Sequence, residues 1–144
     1  MRRAVLALFL LGFGFPAAAL GAGSALICQG RLTQATGSAN QPGIEFTLEY
    51  AEGMQVAQFQ SNFEALNGPL LFQLDDAFLR AKQSQPKPLG ANGRSIGVSD
   101  LRVSRNTGQF TLAVALYRDI DLPDGGATWE GLCRPQELAG SKKF

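Results

Sequence analysis

A strict two-residue alternation of apolar and polar residues most narrows what this chain can fold into. Residues Ile44 to Tyr50 read IEFTLEY, so Ile44, Phe46, Leu48 and Tyr50 fall on one face and Glu45, Thr47 and Glu49 on the other. Side chains alternate across a strand but not along a helix, so this segment is a half-buried β-strand. Gln109 to Tyr117 repeats the pattern, with Phe110, Leu112, Val114 and Leu116 on a common face. Strands of this kind must bury that face against another layer, in a sandwich or a closed barrel.

Turn residues divide the rest of the chain into similar pieces. Glu52–Gly53 is a turn, and Met54–Gln55–Val56 begins a return strand that makes a hairpin with Ile44 to Tyr50. From Ile96 to Ser104 the apolar phase slips at Ser99–Asp100, as a β-bulge would require. Arg105–Asn106–Thr107–Gly108 then turns this strand into Gln109 to Tyr117, since Asn and Gly accept positive φ. Leu26 to Thr33 and Thr128 to Cys133 read as weaker strands, with Trp129 and Leu132 expected to pack near a disulfide. Gln34 to Gly43 and Gln83 to Gly93 have loop composition. Gly68 to Gln83 fits a helix through Leu70, Leu71, Leu74, Phe78 and Ala81, or two strands turning at Asp75–Asp76. The flanking hairpins favour two strands. The expected fold is all-β, an antiparallel sandwich or small barrel of about seven short strands.

The N-terminus carries an export signal. Arg2 and Arg3 precede an uncharged apolar run from Ala4 to Phe15, which Pro16 breaks and small residues follow. That run is too short for the roughly 20 apolar residues of a membrane-spanning helix. Ala17–Ala18–Ala19 and Gly23–Ser24–Ala25 both suit signal peptidase, and the later site is preferred. The expected organisation is a signal peptide over residues 1–25 and one secreted β domain over 26–144, periplasmic or extracellular, not spanning a membrane after cleavage. The only two cysteines, Cys28 and Cys133, are expected to pair in such a compartment. They lie 105 positions apart (133 − 28). In the chain-entropy model a bridge over so long a loop contributes up to about 4–5 kcal/mol.

Composition excludes more chemistry than it suggests. The chain has no histidine, which removes Ser-His-Asp triads, Cys-His nucleophiles and most zinc sites. It has no phosphate loop, dinucleotide fingerprint or G-x-S-x-G elbow. Glu45 and Glu49 share a strand face but sit roughly 13 Å apart, too far for a glycosidase pair. Asp119 to Gly125 faintly resembles a calcium loop, with Glu130 at its twelfth position, yet Pro123 takes a ligand place and a polar turn explains it better. No catalytic residue, cofactor or metal is therefore expected.

Without Arg2 and Arg3 the chain carries 11 basic and 12 acidic residues, so its bulk charge attracts neither nucleic acid nor membrane. The distribution is uneven. Leu26 to Leu79 holds six acids and one base, Arg31, whereas Arg80 to Arg118 holds seven bases and one acid, Asp100. Either the two stretches lie side by side and their charges pair across strands, or Arg80, Lys82, Lys87, Arg94, Arg102 and Arg105 form a face for an anionic ligand.

The segment L-I-C-Q-G around Cys28, the turn S-R-N-T-G at Ser104 to Gly108 and W-E-G-L-C at Trp129 to Cys133 together resemble a loose group of small secreted β-proteins of Gram-negative bacteria. That group brings no known activity with it. The layout of an exported β-domain with an early Cys and a late Cys is also similar in architecture to periplasmic lysozyme inhibitors of the C-type group. The expected function is non-enzymatic binding of an envelope component, an anionic polymer or a partner protein. The alternative is inhibition of a secreted hydrolase such as lysozyme through a rigid loop at Gln83 to Gly93 or Asp119 to Gly126. A lipid-binding barrel would require an apolar cavity in place of a filled core.

Overall fold

Alternation of the kind seen in Ile44 to Tyr50 extends through most of the chain. A computed structural model describes residues 24–37, 40–51, 53, 55–89, 93–119 and 122–136. Nine strands form: β1 (Ser24–Thr36), β2 (Gly43–Tyr50), β3 (Val56–Ser61), β4 (Gly68–Leu74), β5 (Phe78–Lys82), β6 (Lys87–Pro88), β7 (Ser95–Ser104), β8 (Gln109–Tyr117) and β9 (Pro123–Gln136). Residues 1–23 of the expected signal peptide, Glu52 and Met54 of the expected hairpin, and the chain terminus at Phe144 lie outside the described residues.

Every pairing is antiparallel, and consecutive strands pair from β1 to β5 and from β6 to β9. β5 joins β7, and β9 returns to β1, so the sheet closes into an eight-stranded barrel. Closure leaves the meander without the unpaired edges a sandwich would have to protect. β6 is a short continuation of β5 along β7. The Gln83 N–H donates to Val98 O at 2.9 Å, and Lys87 then pairs with Ile96.

The disulfide lies on the closing seam. Cys28 and Cys133 are direct partners of β1 and β9, and their sulfurs are bonded. The seam brings the backbones very close where Gly30 faces Gly131. A Cβ on Gly30 would stand 2.6 Å from Phe110 Cζ and 2.5 Å from Glu130 O.

An eight-stranded barrel is just wide enough for side chains to fill it, and here they do. The Phe46 ring stacks on Phe59 at 4.8 Å and meets Phe110 edge-on at 5.0 Å. Leu48, Leu66, Leu101, Leu112 and Trp129 are wholly buried. A 3-10 turn, Glu64–Leu66, plugs the end where β3 leads into β4. There Trp129 Nε1 donates to Gln41 O at 2.8 Å, and its ring meets Phe63 edge-on. Gln83 fixes this plug to the wall: its Oε1 accepts from the Val98 N–H at 2.8 Å and its Nε2 donates to Leu66 O at 3.3 Å.

Several expectations hold. Gly68 to Gln83 forms two strands, turned at Asp75, and the register slips between Val98 and Asp100 as the bulge requires. Gly108 takes φ 78° in the β7–β8 turn. The all-β antiparallel fold takes the barrel form, with nine strands among the described residues, eight of them in the barrel. Other expectations need correction. β1 continues through Gln34 to Thr36, and β9 starts at Pro123, before Thr128. Leu132 does not pack beside the disulfide; it is 60 % exposed. It stands three residues from the inward Trp129, and an odd offset puts it on the outer face. Trp129 packs in the plug, and its four-residue offset from Cys133 corresponds to roughly 13 Å along the strand.

Candidate functional site

The outer wall of β5 and β7 gathers the densest group of bases. Inward Leu79 and Ala81 force Phe78, Arg80 and Lys82 outward, and inward Leu101 and Val103 do the same for Arg102. The register sets Arg80 directly opposite Arg102. Both guanidinium groups sit over the Phe78 ring, at 5.3 and 5.5 Å from its centroid. A ring face attracts cations, which offsets part of the repulsion between them. Among the described residues neither guanidinium reaches an acid at ion-pair distance.

Arg105 frames the turn end of this wall. Its Nη1 donates to Asp75 O at 2.6 Å, and its N–H donates to Ala77 O. The Asp75 carboxylate accepts the Phe78 and Ala77 N–H groups, both at 2.8 Å. These bonds, with a smaller contribution from Arg80 and Arg105, hold its pKa below the ordinary 3.8. The carboxylate is thus occupied in capping the turn.

A shallow groove runs from here across the wall, between Gln55, Leu71, Gln73, Arg80, Lys82 and Asp100. Leu71 pairs with Lys82 on one side and with Val56 on the other. Val56 and Leu71 are 38 % and 43 % exposed. An apolar pair therefore borders the cations. Leu70–Leu71–Phe72 signals this in the sequence, because three consecutive apolar residues in a strand cannot all face inward. Phe78 also has its part in this site, and it was assigned above only to a helix face or a strand.

Lys87 and Arg94 do not join this group. Both stand at the plugged end, where Lys87 Nζ donates to Asn67 O and Arg94 pairs with Asp124 at 3.3 Å. Asp75 caps the turn beside this wall and Asp100 lines its groove, while other acids lie elsewhere. Glu45 and Glu49 project from β2, opposite β7 around the barrel, and Glu45 accepts a bond from Gln29. At Asp75 the two halves of the chain do meet, close enough for the charges of Arg80 and Arg105 to help lower its pKa.

Among the described residues the interior is filled. Leu48, Phe59, Leu112 and Trp129 expose none of their surface to a water-sized sphere, so no ligand-sized space adjoins them. Charges point outward and apolar groups inward, the reverse of a lipid-spanning barrel. Among the described residues no helix is long and apolar enough to cross a membrane, and no three acidic or Cys side chains group to hold a metal. In the calcium-like stretch Ile120 and Asp121 lie outside the described residues. Comparison with protein-family models, curated proteins and solved structures returns no match.

Proposed function

We propose that the mature chain is an exported, non-enzymatic binding domain that presents the outer wall of β5 and β7 to an anionic component of the cell envelope. The observation that carries this is the placing of Arg80 directly opposite Arg102. Like charges in that relation destabilise a sheet by roughly 0.2–1 kcal/mol. A bound anion turns the same arrangement into an attraction. The N-terminal signal features and the disulfide support an exported address.

The test is retention of the mature domain on purified cell-wall sacculi and on envelope vesicles, beside an R80Q/R102Q variant. Retention that fades with salt and is lost in the variant is the expected result. Equal retention of both proteins would remove the basic wall from the function.

One contact favours a second reading, inhibition of a secreted hydrolase. The Arg94–Asp124 pair ties the residue just after Gln83 to Gly93 to the Asp119 to Gly126 segment, where Leu122 is 48 % exposed. Slowed lysozyme turnover, relieved by D124N but not by R80Q/R102Q, would replace the first reading with this one.

A further inference from the structure

Resting on the reading above, the geometry points to a narrower ligand: we infer that the wall docks on a lipid surface bearing phosphomonoester groups. The phosphoryl group would sit between Arg80 and Arg102, and the apolar part along Val56 and Leu71.

The cations argue for a phosphomonoester. One guanidinium fork satisfies both oxygens of a carboxylate. Two forks on directly paired positions of neighbouring strands suit a group with three free oxygens and up to two charges. Both guanidinium carbons lie around one ring, Phe78, which limits the ways they can spread. Arg105 contributes further positive charge at the turn end while its guanidinium holds Asp75 O.

The neighbouring row argues for a lipid. Val56, Leu71 and Lys82 stand abreast on β3, β4 and β5, and Gln73, Arg80 and Arg102 form the next row. Rows on one face of a sheet are about 6.6 Å apart. The exposed apolar pair thus lies one row from Arg80 and Arg102 and in line with Lys82, as the acyl region lies beneath a headgroup. A purely soluble anion would leave Val56 and Leu71 unexplained.

Cosedimentation with vesicles tests this. Phosphatidylcholine vesicles serve as the blank. Vesicles doped with phosphatidic acid, a monoester, are compared with vesicles doped to equal surface charge with phosphatidylglycerol, a diester. The mature protein should bind the phosphatidic acid vesicles best. R80Q/R102Q should weaken that binding about thirtyfold, from about 1 kcal/mol per base at an anionic surface. V56S/L71S, with unchanged unfolding midpoint, should also weaken it.

Equal binding to the two anionic vesicles would overturn the phosphomonoester. Failure to bind any vesicle, with inorganic phosphate still shifting NMR signals of Arg80 and Arg102, would overturn the lipid. The same failure with salt-sensitive retention on sacculi would overturn this inference and leave the broader function standing. Undiminished vesicle binding by R80Q/R102Q would sink both.

Discussion

Removing the Cys28–Cys133 bridge should lower stability by several kcal/mol. The bridge spans the β1–β9 seam, which joins strands from the two ends of the fold over a separation of 105 residues. β1 and β9 pair from Ala25↔Gln136 to Thr36↔Gly126 with or without the bond. Its contribution therefore falls on the unfolded chain, which loses freedom when cross-linked. For a loop of about 100 residues the entropy model gives about 4.7 kcal/mol at 25 °C. A domain of this size unfolds with about 2.1 cal/mol/K per residue, so the melting temperature should fall by about 10–20 °C. Cys28 is wholly buried, so alanine is the substitution that adds no buried hydroxyl. The assay is urea unfolding of the C28A/C133A protein against the oxidised parent. The variant should show a lower midpoint and a steeper slope, because its unfolded chain exposes more surface. A loss below about 1 kcal/mol with an unchanged slope would refute the reasoning.

Four further outcomes are expected. Gln83→Ala deletes the side chain that links Val98 to the 3-10 turn and should cost about 1–3 kcal/mol in urea unfolding. Gly30→Ala drives a Cβ against Phe110 and Glu130 and should cost about 1–3 kcal/mol by the same assay. Asp75 has its folded pKa lowered below 3.8, so its contribution is complete above that value and disappears as pH falls through the lower one. Asp75→Asn should accordingly flatten the fall in stability measured below about pH 4. Ser24 pairs with Tyr50 and Ala25 is buried, so a cut after Ala25 would take two residues from β1. Intact mass of the exported protein should place its N-terminus at Leu20, after Ala17–Ala18–Ala19.

What could be read from the sequence followed how local each signal was. The β7–β8 hairpin was fully legible, since alternation, bulge and turn chemistry all lie within a short stretch. The two strands at Gly68 to Leu74 and Phe78 to Lys82 were legible only through their neighbours, because Leu70, Leu74 and Phe78 also suit a helix. The start of β9 was hidden. Pro123, Gly125 and Gly126 are poor strand formers; Pro123 pairs with β8, Gly126 with both β1 and β8, and Gly125 takes φ 107° where the register shifts. The choice of barrel over sandwich was not legible at all. It depends on β9 meeting β1, a contact between the ends of the fold that only the paired cysteines hint at. The same limit applied to the site. Six bases looked alike in the sequence, yet Lys87 and Arg94 are drawn to partners at the plugged end, while strand register alone sets Arg80 against Arg102.

Barrel closure also turns an order along the chain into a direction in space. In a meander of eight strands, each strand lies opposite the one four places on. β2, with Glu45 and Glu49, thereby faces away from β7, with Arg102, and β5, with Arg80 and Lys82, stands beside β7. Glu45 and Glu49 of the acidic first half and Arg80, Lys82 and Arg102 of the basic second half thus mark two walls of opposite charge, with Asp75 at the turn beside the basic one. Such a barrel approaches an anionic surface with one side leading, since the β2 wall is repelled where the β5–β7 wall is attracted. The exposed pair Val56 and Leu71 lies on the leading side, between the two walls and next to the bases. Reversing the sign at Glu45 and Glu49, in E45K/E49K, would leave the site intact and weaken this orientation. The variant should therefore keep its dependence on Arg80 and Arg102 only if those residues hold the ligand by contact. If the net charge alone governs binding, the added lysines will compensate for R80Q/R102Q in full.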